Sequence, residues 1–151
     1  MAQDYYDPLQ PFNHIYKFVD DNKAGLGIRY IARHDEDLIP SYPCVLLQIG
    51  QTEREYHTTG QFLVTFHLDI WVFHNELTVS KATRSEQDIE LTTDLRKLLH
   101  SDRTLGGHII QSWVSGEFPG ITARVVDTDI STIVTTRMTW EGQVRVPFEA
   151  S

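Results

Sequence analysis

The chain has 151 residues, 40% of them hydrophobic, which is enough for one domain with a core of its own. Its 13 Lys and Arg against 21 Asp and Glu leave a net charge of -8, which argues against the excess of basic side chains that a specific nucleic-acid groove needs. The single cysteine, Cys44, excludes an internal disulfide and a thiolate zinc cluster, and no apolar run approaches the roughly 20 residues of a bilayer-spanning helix.

The opening MAQDYYDPLQPF lacks the basic-then-apolar pattern of a secretory leader, so the expectation is a soluble, unexported protein of a reducing compartment. A helix is predicted over Pro8 to Asn22. Asp7 is its N-cap, Pro8 suits its first position and Gln10 completes a capping box. Leu9, Phe12, Tyr16 and Val19, widened by Ile15, form the apolar stripe, and Gly25 and Gly27 end the helix. A short strand at Ile28 to Ala32 follows, then a loop carrying the acidic run Asp35-Glu36-Asp37. Val45, Leu47 and Ile49 alternate with Cys44, Leu46 and Gln48, a strand covered on both faces. Gln51 to Gln61 is polar and centres on a Thr58-Thr59-Gly60 turn.

The strongest strand signal is Phe62 to His74. Phe62, Val64, Phe66, Leu68, Ile70 and Val72 make one apolar face, while Leu63, Thr65, His67, Asp69, Trp71 and Phe73 make a mixed face suited to a partner. Ser80 to His100 is the central helix, with Ile89, Leu95, Leu98 and Leu99 directed inward. Three extended segments close the chain, at Ile109 to Val114, Ile121 to Val126 and Ile130 to Phe148. Val134, Met138, Trp140, Val144 and Val146 line one face of the last, and Gly142 is read as a bulge. Helix, strands, helix, strands is the order of a single α+β domain, residues 1–151. Its sheet is mostly antiparallel, with a long hairpin and two main helices packed on one face.

Catalytic chemistry is sparse. His67 and Asp69 share a strand face, but His74 falls on the other, leaving two local ligands where zinc sites use three or four. His57 stands among Glu53, Arg54 and Glu55 in a polar hairpin with no apolar pocket to shift its pKa. Cys44 lies within Tyr42-Pro43-Cys44-Val45-Leu46-Leu47, the setting of a buried, inert thiol. In RTLGGH, Arg103 to His108, the glycines follow a helix and precede a strand, so they offer an anion the wrong end of the helix dipole. Leu105, Gly106 and Gly107 are therefore read as a structural turn, with Leu105 as its anchor. No catalytic, cofactor or metal residue is assigned.

The succession YPCVLLQIGQTERE, polar hairpin, FLVTFHLDIWVF, TDLRKLLHSD, TLGGHI and ISTIVTTRMTWEGQVRV resembles the tail terminator and tail-to-head joining proteins of tailed bacteriophages. That likeness, spread over about residues 5 to 148, rests on element order and the Leu-Gly-Gly step. It implies a structural, non-enzymatic virion protein assembled in the host cytoplasm. Such a protein forms a ring, usually a homohexamer, that caps the tail tube, ends its polymerisation and joins the tail to the head or neck. Its implied partners are further copies of itself, the tail tube protein, the head-side connector or neck protein and, in a contractile tail, the sheath protein. Membrane and specific nucleic-acid partners are not expected; DNA passes through the channel. Glu53, Arg54, Glu55 and His57 at the hairpin, with Trp71 and Phe73, are the candidate interface residues. Another neck or head-completion protein is the alternative, and a small metal-dependent enzyme using His67 and Asp69 the remote one.

Overall fold

The computed structural model describes residues 4–34, 40–58, 60–75, 81–126 and 129–147. The acidic run Asp35 to Asp37 and Thr59 lie outside them. In chain order the elements are α1 (Leu9–Leu26), β1 (Tyr30–Arg33), β2 (Cys44–Thr58), β3 (Gln61–Asn75), α2 (Lys81–His100), β4 (Gln111–Val126) and β5 (Asp129–Pro147). The strands form one sheet in the order β1-β2-β3-β5-β4, antiparallel throughout except for the short parallel pair β1–β2. With both helices packed on the sheet, this is the α+β fold expected from the sequence.

Local chemistry explains the helix boundaries. Asp7 Oδ1 accepts from the Leu9 N–H at 2.9 Å, and Gln10 Oε1 accepts from the Asp7 N–H at 3.0 Å and from the Tyr6 N–H, so the capping box is present. Helix α1 runs four residues beyond the predicted Asn22, to Leu26. Gly25 is tolerated in its last turn, and Gly27, at φ 77°, ends it with its N–H on the carbonyls of Ala24 and Lys23.

The even series of β3, Val64 to Val72, is buried under the helices with Phe12, Ile15 and Val19 of α1, Leu91, Leu95 and Leu99 of α2, Val45 and Leu47 of β2, and Met138, Trp140, Val144 and Val146 of β5. The sequence reading of α2 needs correction. Ile89 is 47% exposed, whereas Asp88 and Thr92 are buried. Leu95 and Leu99 are buried and Leu98 packs on the core as expected, so only the Ile89 end of the stripe departs: there Asp88 is held inside by His74 Nδ1 at 2.6 Å and Thr136 Oγ1 at 2.5 Å, and Ile89 turns outward.

Three strand assignments also change. β2 continues through the polar stretch to Thr58, because its pairing with β3 satisfies the backbone whatever the side chains are. The two segments predicted at 109–114 and 121–126 are one strand, β4, with its irregularity between Val114 and Gly116. Gly142 is not a bulge: it pairs regularly with Phe66 and Ser112. A Cβ there would collide with Cη2 of Trp140 and lie 3.0 Å from Ile109 Cδ1, so the glycine makes room for a buried indole.

The Leu105-Gly106-Gly107 turn is as read from the sequence. All three have positive φ, at 49°, 70° and 89°, and Leu105 is 1% exposed, inserted into the core. Asp102 Oδ1 accepts from the Gly106 N–H at 2.9 Å, while its Oδ2 meets His14 Nε2 at 3.1 Å and His14 Nδ1 meets the Tyr5 hydroxyl at 2.9 Å. Tyr5 also stacks on His108 at 4.3 Å, so the joint is fastened to α1 and to the segment before it.

Replacing Gly142 by alanine is expected to cost about 1–3 kcal/mol through overpacking against Trp140. Gly120→Ala, where a Cβ meets nothing within 4 Å, is the control and should be near neutral. Thermal or denaturant unfolding of both variants checks this; equal losses would contradict the role given to Gly142.

Candidate functional site

Cross-strand partners share a sheet face, so the register assigns every side chain of the surface away from the helices. Along β3 that open face carries Leu63, Thr65, His67, Asp69, Trp71 and Phe73. Beside them on β5 stand Arg145, Gln143, Glu141, Thr139, Arg137 and Thr135. Gln111, Trp113, Gly116, Phe118 and Gly120 of β4 complete the row beyond β5, and Glu55 and Glu53 of β2 flank the hairpin end.

The face is divided by chemistry. At the end away from the hairpin tip, Ala32, Cys44, Leu46, Phe73 and Ile133 form a second buried apolar cluster, with Tyr30, Tyr42 and Trp71 packed against it. Against that cluster, Trp71 stacks on Phe73 at 6.2 Å, and the Arg137 guanidinium lies 5.8 Å from the Trp71 ring and 4.8 Å from that of Phe118. Phe118 is 52% exposed, so this aromatic and cationic stripe reaches solvent. Towards the hairpin tip the face is charged: His67 Nδ1 is 3.3 Å from Glu141 and its Nε2 3.6 Å from Glu53, while Arg145 Nε donates to His57 Nε2 at 3.0 Å.

The six interface candidates therefore do not make one patch. Glu53, Arg54, Glu55 and His57 are exposed near the tip, whereas Trp71 and Phe73 lie at the far end. At roughly 3.3 Å per residue, the eight steps from Leu63, the partner of Glu55, to Trp71 span about 26 Å. Arg54 pairs with Val64 and so points to the opposite face from Glu53 and Glu55. Phe73, 6% exposed, supports the surface from beneath and is not available to touch a partner. Phe118, Arg137 and Tyr56, which sequence reading left out, are prominent instead; the pairing register places Trp71, Arg137 and Phe118 in one row, with the Arg137 guanidinium against both rings.

The sheet edges matter as much as its face. β1 pairs only with Cys44 to Leu47, so among the described residues no strand flanks the outer edge of Gln48 to Thr58. The outer edge of β4 is closed near its start by side chains: Arg103 Nε donates to the Ser112 carbonyl at 3.0 Å, and the Val114 N–H donates to His100 Nε2 at 3.0 Å. That last bond needs a neutral imidazole. Burial holds the His100 pKa below its ordinary 6.5, reinforced by Arg103 and Arg96 and opposed by Glu117.

On the helix side, the Asp88 carboxylate bridges His74 and Thr136 and so ties α2 to β3 and β5. Burial raises its pKa, against the lowering effect of the bonds from His74 and Thr136. With Nδ1 of His74 engaged by Asp88, Nε2 is its remaining nitrogen, and His74 lines a cavity with Leu26, Arg84, Gln87, Glu90 and Asp94. Among the described residues, no serine, threonine or cysteine lines that cavity. His67 and Asp69 do share the open face, yet among the described residues no three His, Cys, Asp or Glu side chains are grouped to hold a metal ion. Among the same residues, no helix is long and apolar enough to cross a membrane. Neither a protein-family model nor a curated protein matches the chain.

The lowered His100 pKa sets the sign of a pH effect. The folded state binds fewer protons than the unfolded state, so the contribution is complete above about pH 6.5 and is lost as the pH falls through the lower folded-state value. His100→Gln should remove part of the stability lost on acidification from pH 7.5 to 5. Parallel denaturation curves of wild type and variant at both pH values measure this, and identical pH dependence would show that His100 does not act as described.

Proposed function

We propose that the chain is a structural protein of a tailed-phage virion, assembling into a ring at the head-proximal end of the tail tube. The observation that carries the reading is the sheet: a long two-stranded hairpin, β2–β3, whose outer edge over Gln48 to Thr58 has no flanking strand among the described residues and whose end is exposed at Glu55, Tyr56 and His57. Exposed strand edges are a liability unless a neighbour or a device covers them, and in a ring each copy has a neighbour on either side.

The open face supports the same reading. A surface that mixes half-buried Trp71, exposed Phe118 and the Arg137 guanidinium between them has the composition of an interface core, where aromatic residues and arginine are enriched. The net charge of -8 suits a channel through which DNA slides, because an acidic wall repels phosphate. In this reading the partners are identical copies, usually six, together with the tail tube protein on one side and the connector or neck protein on the other. A sheath protein joins them where the tail contracts.

Multi-angle light scattering of the purified protein, alone and mixed with assembled tail tubes, is expected to give a closed multiple of the chain mass, six copies by the resemblance. Deleting the gene should yield tails of uncontrolled length that do not join heads. Tails of normal length joined to heads in the deletion strain would overturn the proposal, and a metal bound in stoichiometric amount would favour the enzyme reading.

A further inference from the structure

The cavity beside α2 contains a histidine nitrogen that the fold leaves over. His74 is 4% exposed, and its ring is fixed from one side: Nδ1 meets Asp88 Oδ1 at 2.6 Å, and Asp88 Oδ2 accepts from the Thr136 hydroxyl at 2.5 Å. A carboxylate that holds one imidazole nitrogen sets the orientation of the ring and the tautomer presented at the other. With the Nδ1 proton donated to Asp88, the neutral ring offers Nε2 as an acceptor. Nε2 has no hydrogen-bond partner among the described residues. His74 lines the cavity and Asp88 does not, so the ring edge away from Asp88 is the one that faces it.

The walls of the cavity, about 270 Å³ in volume, define the donor that Nε2 lacks. One face of α2 supplies Arg84, Gln87, Glu90 and Asp94, spaced by three or four residues. At roughly 1.5 Å per residue, Glu90 lies about 9 Å and Asp94 about 15 Å along the axis from Arg84. Arg84 is turned toward Gln87, whose Oε1 accepts from Nη1 at 2.9 Å. Glu90 and Asp94 are exposed, and among the described residues neither has an ion-pair or hydrogen-bond partner. Leu26, Pro43 and Leu91 make the apolar part of the lining.

Two free carboxylates and a neutral imidazole nitrogen are all acceptors, so their complement is a cation rich in N–H groups. A bare metal ion is not that complement, because the described residues hold no three His, Cys, Asp or Glu side chains grouped around one point. The charge has to be spread over several donors. A guanidinium does this: its planar fork pairs with a carboxylate along one edge, leaves further N–H groups for another acceptor, and lays a weakly hydrated face on apolar side chains. We propose that this cavity is a binding site for a guanidinium group, held by Glu90, Asp94 and His74 Nε2, with Asp88 as the positioning residue for the His74 ring.

Nuclear magnetic resonance of the full chain tests this, with methylguanidinium as the probe and the histidine ring nitrogens as reporters. Its addition should shift His74 Nε2 saturably and leave the ring nitrogens of His67, on the open face, unmoved. Glu90 and Asp94 are exposed, so Glu90→Gln with Asp94→Asn should keep the wild-type unfolding midpoint while weakening binding about tenfold or more, the worth of a hydrogen bond to a charged group. Acetate should produce no saturable shift. A blocked Gly-Arg-Gly peptide and its neutral citrulline counterpart separate the two sources of the group. Arginine-peptide binding about tenfold tighter than methylguanidinium, with none for citrulline, identifies an arginine side chain of a partner; equal or weaker binding identifies a free small molecule. No saturable shift at His74 with either guanidinium probe, undiminished binding in the Glu90/Asp94 variant, or saturation by acetate overturns the proposal. The ring reading makes no claim about this cavity, so it stands or falls separately.

Discussion

The pairing of β3 with β5 is the constraint on which the rest of the structure depends. Fifteen residues of β3, Gln61 to Asn75, are matched one to one with Pro147 to Ile133 without a break in register. A slip of one residue would exchange the two faces of the strand, putting Val64, Phe66, Leu68 and Ile70 into solvent and His67 and Asp69 under the helices. The unbroken register therefore fixes which side receives α1 and α2. It also brings Arg137 beside Trp71, and His67 beside Glu141.

Around that spine, polar groups do specific mechanical work. Asp88 enters the core although it was not among the residues expected to face inward, and the cost of burying a carboxylate is offset by bonds from His74 and Thr136. The result is a helix held to two strands at one angular setting, with Ile89 turned outward as a consequence. His100 and Arg103 act in a comparable way at the end of α2, where they occupy backbone groups of β4 that would otherwise face outward.

Much of the fold was legible in the sequence because it depends on local pattern. The capping box at Asp7 and Gln10, the alternation through β3 and the Leu-Gly-Gly turn are each set by neighbouring residues and appear as read. What could not be read depends on partners distant in the chain. The burial of Asp88 follows from His74, 14 residues away, and Thr136, 48 residues away. The role of Gly142 follows from the nearby Trp140 indole being packed over it beside Ile109 of a distant segment, and the continuity of β4 from pairing with β5. The candidate interface was legible only in part. Hairpin exposure follows from polarity, and the separation of the tip from Trp71 from spacing along one strand, but the meeting of Phe118 with Arg137 is not contained in any local pattern.

The proposed function is a location: a ring of copies where the tail tube meets the head. Electron microscopy of complete particles carrying a small label on the chain tests it most directly. The account predicts a single annulus of label at the head-proximal end of the tube; label spread along the tail, confined to the capsid or absent from the particle would contradict it.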